Sequence, residues 1–386
     1  MPNLPIPRTP EELLAQMVSF ETVNPEFGGP AGGEARLATH IESLARSWNL
    51  DTKRCPVNDS GAFNLLVTVK SSASASSDAE WLLFESHLDT VSAEGMSVPA
   101  FELTTRGDRL HGRGACDTKG SGAAMLWALK DYAATSSRRR NAGVIFVVDE
   151  EAGMTGAQAF AARELREFEN LRGVIVGEPT RLRPVIAHNG ALRWRSTTRG
   201  VAAHSSDPSK GRSAISAMLE VVAALEEKFI PLATAAHPLT GRAAASINVI
   251  RGGRAVNVIP DRCEILCDRR LVPGENVAVV VAARDAALAG LAVEHDQTYL
   301  APPLPPENST ALHAWMTPAL TAAGLDATAI GAAYATDASH YASAGASVLV
   351  LGPGDIVQAH THDEWLDRRA LTQAVTLYSG LLQLPS

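Results

Sequence analysis

The chain has 386 residues, of which 46% are hydrophobic and 20% are charged, and its formal net charge is −8. This length suffices for two domains, the composition is that of an ordinary globular protein, and the net negative charge disfavours nucleic acid as a partner. The sequence contains no C-x-x-C pair, no apolar run of about 18 residues and no signal-peptide pattern. We therefore expect free thiols, no membrane association and a cytoplasmic location.

The first predicted elements are helices and strands that precede a polar pair. Thr9, Pro10 and Glu12 stand in the order of a helix N-cap, a first-turn proline and a capping-box glutamate, so a helix begins at this point. Apolar periodicity and composition then predict a helix over 34–48, a strand over 64–70, an exposed Ser/Ala-rich hairpin loop over 71–77 and a buried strand over 81–84.

The strand at 81–84 runs directly into His87 and Asp89. Ligands of open α/β sheets bind at the carboxyl ends of the strands, which is where this pair stands. A spacing of two directs both side chains to the same side, and a histidine can ligate a metal through one ring nitrogen while a carboxylate holds the other. A hydrogen-bonded loop without a ligand gives the same short pattern, so the pair alone leaves both interpretations open.

A glycine-rich loop over 112–122 precedes the next predicted helix and carries Asp117. Its glycines allow tight turns and close backbone approach. The loop is not a phosphate loop, because Lys119 precedes Gly120 and the order G-K-[ST] is absent. Asp117 is either a helix cap or a ligand.

Further acidic and imidazole side chains follow other apolar strands. The strand over 144–148 ends in Asp149, Glu150 and Glu151, the strand over 173–177 ends in Glu178, and the strand over 347–351 precedes His360 and His362. Adjacent acids at the end of a buried strand are costly unless cations or donors offset their charge, and a solvated loop is the alternative.

The rhythm of the elements changes after Arg181 and predicts an inserted domain over 182–298. Its elements follow the order βαββαβ of a ferredoxin-like sandwich. They are a strand over 192–199, a helix over 212–228, strands over 245–250 and 256–271, a helix over 275–289 and a strand over 291–300. The fold class is therefore α/β, with a larger domain formed by 1–181 and 299–386.

Imidazoles and carboxylates together suit zinc, cobalt or manganese. The set at the strand ends exceeds the needs of one tetrahedral zinc and matches two metals that share a bridging carboxylate. A further carboxylate left free would act as general base. The signatures H-E-x-x-H and G-x-S-x-G of other hydrolases are absent from the sequence.

With these motifs in place, the chain resembles the dinuclear-zinc amidohydrolases that include acetylornithine deacetylase, succinyl-diaminopimelate desuccinylase, carboxypeptidase G and carnosinase-type dipeptidases. The resemblance runs the whole length and implies a mixed-sheet, zinc-exopeptidase-like catalytic domain with an inserted dimerisation domain. The matching motifs are S-H-L-D-T-V at 86–91, G-R-G-A-C-D-T-K-G at 112–120, D-E-E-A-G at 149–153, G-E-P-T at 177–180, the segment 190–205, N-V-I-P at 257–260 and Q-A-H at 358–360.

The resemblance also implies the role of each residue at the metal centre. Two divalent ions, zinc or alternatively cobalt, would share Asp117 as the bridge. The remaining ligands would be His87 and Glu178 on one ion, and Glu151 and His360 on the other. His362 stays an alternative to His360, because it lies two residues further on.

Glu150 would be the general base on the metal-bridged water, and Asp89 would orient His87. His204 would stabilise the oxyanion in the other subunit's site. Asn257 and Arg270 would bind the substrate carboxylate, with Arg269 as an alternative to Arg270. The inserted domain would form a homodimer.

The implied reaction is hydrolysis of the amide bond of an N-acyl amino acid, as in acetylornithine deacetylase. Desuccinylase, carboxypeptidase or dipeptidase activity on the same site are the alternatives within the family. A non-catalytic binding protein on the same scaffold is the alternative outside it, and hydrolysis with a single metal is a further one.

Overall fold

The computed structural model describes residues 4–72 and 79–385, and it divides into two compact units. The first unit comprises Met1–Ile186, Pro306–Ile330 and Thr336–Ser386, and the second comprises Ala187–Pro305 and Gly331–Ala335. The sequence predicts the inserted domain over 182–298. The second unit begins and ends somewhat later than this range, and it also includes the short segment Gly331–Ala335. Most of the hairpin loop expected over 71–77 lies outside the described residues.

The helices alternate with strands through most of the chain. In chain order they are α1 (Pro10–Val18), α2 (Gly33–Ser47), α3 (Lys119–Ala133), α4 (Thr155–Arg163), α5 (Ala214–Lys228), α6 (Val277–Ala287), α7 (Thr310–Ala322), α8 (Ala338–Ser343) and α9 (Arg368–Gln383). The sequence signal at the first helix is confirmed: the Thr9 side chain accepts a hydrogen bond from the Glu12 amide, and Pro10 occupies the first turn. None of the helices in the described ranges is long and apolar enough to cross a membrane.

The strands form one large sheet and several smaller ones. In chain order they are β1 (Asp51–Pro56), β2 (Phe63–Val69), β3 (Trp81–His87), β4 (Thr104–Arg106), β5 (Arg109–His111), β6 (Asn141–Val147), β7 (Leu171–Val176), β8 (Val185–His188), β9 (Gly190–Arg199), β10 (Ala203–His204), β11 (Ala236–His237), β12 (Gly241–Arg242), β13 (Ala244–Gly252), β14 (Val258–Ile259), β15 (Arg262–Leu271), β16 (Val293–Ala301), β17 (Ile330–Ala332), β18 (Val348–Val350) and β19 (Trp365–Asp367).

The large sheet is mixed, with the strand order β1-β2-β6-β3-β7-β18-β8-β17. Strands β6, β3, β7 and β18 are parallel neighbours, whereas β2 pairs antiparallel with β6. Every residue of β3 and β6 is buried, as expected for central strands covered by helices. Helix α3 contacts both of these strands and packs against α1 and α9. The parallel strands consequently end at one common edge.

The second unit contains the expected ferredoxin-like sandwich. Its four main strands are antiparallel in the order β13-β15-β9-β16, and α5 and α6 join them in the chain order βαββαβ. Leu192, Trp194, Met218 and Ile265 belong to its separate hydrophobic core. The single strand expected over 256–271 is wrong, because this range contains two strands in different sheets: β14 ends at Ile259 and pairs with β10, whereas β15 begins at Arg262 in the main sheet. Pro260 stands in the gap, and a proline has no amide hydrogen to donate to a ladder.

Candidate metal centre

The polar residues that follow the parallel strands of the first unit lie together. His87 ends β3, Glu151 follows β6, Glu178 follows β7, and His360 lies on the loop after β18. Asp117 joins them from the loop before α3, and its peptide bond to Thr118 is cis. This convergence follows from the topology, because carboxyl ends of neighbouring parallel strands share one edge of the sheet.

These side chains form two groups that share one carboxylate. In the part of the chain that the structure describes, one group consists of His87, Asp117 and Glu178, and the other consists of Asp117, Glu151 and His360. Within each group the potential ligand atoms all lie within 4.8 Å of one another. The arrangement has the form of two metal positions with a bridging carboxylate.

Asp117 directs its two carboxylate oxygens to two different imidazoles. Oδ1 lies 3.1 Å from Nε2 of His87, and Oδ2 lies 3.3 Å from Nε2 of His360. Nε2 of His360 is also 3.1 Å from Oε1 of Glu151. His362 belongs to neither group, and its ring instead lies close to the backbone of Gly95.

The charges at this centre perturb one another strongly. Although burial alone raises it, the pKa of Asp117 falls well below its usual range through hydrogen bonds with His360 and His87. Hydrogen bonds with Asp117 and Glu151 raise the pKa of His360 to about 10. Burial raises the pKa of Glu178 well above its ordinary value, and the neighbouring charge of Asp117 adds to this. With all three carboxylates of the two groups ionised, the centre would carry more negative charge than its two imidazoles offset.

The donor chemistry of the centre fits divalent metal ions. Each group offers one imidazole nitrogen and two carboxylates, a set that suits zinc, cobalt or manganese. Buried carboxylates are costly without a compensating cation, and each of these carboxylates is largely buried. A divalent ion in each group would supply the missing positive charge.

Asp89 joins the strand that carries His87 to the turn that carries the two glutamates. Nδ1 of His87 is 3.0 Å from the backbone oxygen of Asp89 and 3.4 Å from its Oδ1. The Asp89 carboxylate accepts hydrogen bonds at 3.1 Å from the amides of both Glu150 and Glu151. This carboxylate thus holds the turn after β6 as well as lying beside the imidazole.

Asn24 is a site-supporting residue that the sequence reasoning missed. Its buried side-chain amide donates to Oδ2 of Asp89 at 2.8 Å and to Oδ1 of Asp149 at 3.0 Å. The only local signal is the Asn-Pro turn at 24–25, which reveals nothing about a partner 65 positions further along.

Glu150 lies beside the two groups without belonging to either of them. Its side chain is buried. Burial raises its pKa well above the ordinary value, with His87 acting in the opposite sense and Asp337 raising it further. A carboxylate in this position is able to accept a proton.

The remaining predicted site residues lie in the second unit. His204 is exposed on β10, where it pairs with Val258, and the backbone oxygen of Asn257 accepts a hydrogen bond from Ser205. Arg270 lies near the end of β15, where it pairs with Ala191 of β9. Along β15, Arg270 stands eight positions from Arg262, the first residue of the strand, which corresponds to about 27 Å. His204 belongs to the separate two-stranded sheet of β10 and β14, and it follows Arg199, the β9 residue that pairs with Arg262, by five positions.

The guanidinium groups of the two candidate arginines differ in burial and in their ion pairs with other residues of the chain. Arg269 is buried and forms a 2.5 Å ion pair with Glu275, and it also donates to the backbone oxygen of Arg270. Arg270 pairs with Asp268 at 2.7 Å, but its side chain remains 38% exposed. Of the two guanidinium groups, that of Arg270 is the more accessible to a ligand.

Comparison with known proteins decides the family. The model of Peptidase family M20/M25/M40 matches residues 83–384. The chain belongs to this family. It is accordingly a metal-dependent hydrolase of the amidohydrolase and metallopeptidase type.

The relatives and neighbours match over nearly the whole chain. An acetylornithine deacetylase from Edwardsiella ictaluri is 30% identical over 381 residues, which cover 96% of each chain. A solved metallo-carboxypeptidase from Sulfolobus solfataricus has a TM-score of 0.79 at 16% identity and covers 96% of this chain and 98% of its own. A dinuclear metal binding peptidase from Bacillus subtilis has a TM-score of 0.65 at 15% identity over 97% of both chains. These two structures share the fold with this chain.

Proposed function

We propose that this protein hydrolyses the amide bond of an N-acyl amino acid, in the manner of an acetylornithine deacetylase, with two zinc ions as its metals. The observation that carries the proposal is the pair of ligand groups sharing Asp117, with the unligated Glu150 beside them. The deacetylase relative, similar over almost the full length of both chains, supports the choice of substrate class. Cobalt is the alternative metal, because it takes the same ligands.

Ions held by the two groups would act as Lewis acids toward the amide carbonyl and would make a water molecule acidic near neutral pH. Glu150 accepts a proton from the attacking water, whose oxygen forms a new bond to the carbonyl carbon. The C–N bond then breaks as Glu150 delivers the proton to the leaving nitrogen. The products are a carboxylic acid and the free amino group of the amino acid.

The second unit supplies the proposed contacts to the substrate. Arg270 would pair with the substrate carboxylate, and His204 would donate to the oxyanion. Arg270 lies about 27 Å along β15 from the strand end that leads to His204, and we therefore assign the Arg270 and His204 of one site to different chains. The same reasoning assigns Asn257, next to His204, to the subunit that supplies His204.

The surface of the second unit supports a homodimer. Strand β13 is an edge of its sheet. Its Ile250, the nearby Val256 and Val258, and Leu219 on α5 are large apolar side chains that are exposed. Exposed apolar side chains together with an open strand edge are typical of an interaction surface. We assign this surface to a second copy of the chain.

The decisive experiment combines metal counting with turnover. Chelator-treated protein is titrated with zinc or cobalt and assayed for amine release from N-acetylornithine, N-acetylcitrulline, N-succinyl-diaminopimelate, N-acylated hydrophobic amino acids and dipeptides. The proposal expects activity on an N-acyl amino acid that saturates near two ions per chain. Saturation at one equivalent would support the single-metal alternative.

The substrate panel also separates the remaining alternatives. Preference for the succinylated substrate or for dipeptides would replace the deacylase assignment by desuccinylase, carboxypeptidase or dipeptidase activity, of which carboxypeptidase is the activity named for the Sulfolobus solfataricus structure. Two bound ions without turnover of any member would favour a binding protein.

Substitution of Glu150 tests the proposed general base. Glu150→Gln should retain two ions and lose at least about 1,000-fold in kcat, because an amide cannot accept the proton. Glu94→Gln, on an exposed loop, is the matched control and should keep normal activity. Near-normal kcat in Glu150→Gln would rule out the proposed role.

Subunit mixing tests the proposed contribution of His204 to the partner's site. Glu150→Gln and His204→Ala proteins are each expected to be nearly inactive, whereas mixed dimers should recover activity at the one site with both native residues. Absence of recovery after subunit exchange has been verified would contradict the assignment.

A further inference from the structure

The carboxylate of Glu364 accepts hydrogen bonds from four donors of the glycine-rich loop. Its Oε1 accepts from the amides of Cys116 at 2.9 Å and Asp117 at 3.1 Å. Its Oε2 accepts from the amide of Gly114 at 3.1 Å and from Nη1 of Arg113 at 2.7 Å. The side chain is 1% exposed, so solvent does not share in these interactions.

Glu364 and these donors come from distant parts of the sequence that carry different ligands. Glu364 stands four positions after His360, whereas the donors lie on the loop of Asp117. Nη2 of Arg113 also donates to the backbone oxygen of Thr361 at 3.3 Å. The strands that adjoin these segments, β5 before the loop and β19 directly after Glu364, also pair with each other. The loops of Asp117 and His360 are therefore held together by these hydrogen bonds and by the strand pairing next to them.

No regular secondary structure fixes the backbone of the Asp117 loop. Strand β5 ends at His111 and α3 begins at Lys119, so the amides of Gly114, Cys116 and Asp117 belong to no ladder that would orient them. Their convergence on one buried carboxylate supplies that orientation. Since the Asp117 amide is itself one of the donors, the bonds act on the residue whose side chain reaches both His87 and His360.

We propose that Glu364 is a positioning residue for the bridging carboxylate of Asp117, and that it sets the affinity of the centre for its second metal ion. This inference rests on the metal centre of the proposed function. Glu364 ligates nothing itself and acts by holding the Asp117 loop against the loop of His360. The ion of the group Asp117, Glu151 and His360 depends most on it, because two of its three ligands lie on the fastened loops.

The alternative is that Glu364 only stabilises the fold. Glu364→Gln separates the two roles, because the amide occupies nearly the same volume but turns an NH₂ group toward backbone donors. A purely structural role would lower the thermal midpoint of the metal-free protein and leave the metal dissociation constants of the folded protein unchanged. A positioning role raises the dissociation constant of the weaker-bound ion.

The test is a metal titration of chelator-treated, full-length protein with Zn²⁺ by competition with a chelating dye, and with Co²⁺ by visible absorbance. Glu364→Gln should raise the dissociation constant of the weaker-bound ion about 10- to 100-fold and change the Co²⁺ spectrum. Glu364→Asp, which keeps the charge, should recover part of that affinity. Asp363→Asn, at the exposed neighbouring position, is the control and should titrate like the unmodified protein.

The outcomes distinguish this inference from the proposed function. A Glu364→Gln protein that binds both ions with unchanged affinity overturns the positioning role and leaves the function intact. If that variant does not fold, Arg113→Lys is measured in its place: a several-fold weaker second ion supports the role, and unchanged affinity overturns it. Failure of the unmodified protein to bind two ions would instead contradict the proposed metal centre itself.

Discussion

Replacement of Glu85 by glutamine should alter how the stability of the metal-free protein depends on pH. Glu85 lies on β3, is 1% exposed, and its Oε2 has no hydrogen-bond partner within the described residues. Burial raises the pKa of its carboxyl from 4.5 to about 8, with His87 acting in the opposite sense. The carboxyl is therefore protonated at pH 6 in the folded chain and ionised in the unfolded chain.

The sign and size of the effect follow from proton linkage. Between pH 4.5 and about 8 the folded state holds a proton that the unfolded state has released, so the free energy of unfolding falls as pH rises. One proton corresponds to about 1.4 kcal/mol per pH unit, which gives about 5 kcal/mol across this interval. A glutamine does not ionise, so Glu85→Gln should resemble the unmodified protein near pH 5 and become progressively more stable than it toward pH 8.

Urea unfolding at several pH values, followed by circular dichroism with chelator present, measures this difference. Other buried acids contribute to the pH dependence of both proteins, and subtracting one profile from the other isolates Glu85. Glu94→Gln should give a profile parallel to that of the unmodified protein. A parallel profile for Glu85→Gln would refute the argument that burial keeps this carboxyl protonated.

Two further predictions concern the metal ligands and their supports. His360→Ala should bind one ion per chain after dialysis whereas His362→Ala should retain two, as measured by elemental analysis; the reverse result would exchange the roles of the two histidines. Asn24→Ala should lower the free energy of unfolding by about 2–4 kcal/mol, because it removes donors from the carboxylates of Asp89 and Asp149. A loss below about 0.5 kcal/mol in chemical denaturation would show that these hydrogen bonds contribute little.

The sequence was informative where local pattern determines structure. The apolar runs before His87, Glu151 and Glu178 are neighbouring parallel strands of one sheet, so the repeated pattern of a strand followed by polar residues and a helix was enough to indicate that their ends converge. The ferredoxin-like order in the second unit was likewise readable from periodicity. The individual roles of the ligands came from the resemblance, because adjacent residues such as Glu150 and Glu151 do not differ in any local pattern.

The supports of the centre could not be predicted, because they depend on long-range contacts and on unusual backbone geometry. Asn24 reaches Asp89 across 65 positions, and Glu364 reaches Asp117 across 247. His360 and Asp149 adopt positive φ angles of 60° and 65°, which L-residues rarely occupy. Such conformations are imposed by the surrounding tertiary structure and leave no signature in composition.

The chain order of the ligands places both metal groups late in synthesis. His87, Asp117 and Glu178 all precede the second unit, whereas His360 follows it. Because a domain folds as a unit and the first unit includes Thr336–Ser386, the loop of Asp117 meets the carboxylate of Glu364 only after this last segment has been made. Later loosening of the same segment would remove His360 from one group and would free the Asp117 loop, which serves both groups, from Glu364.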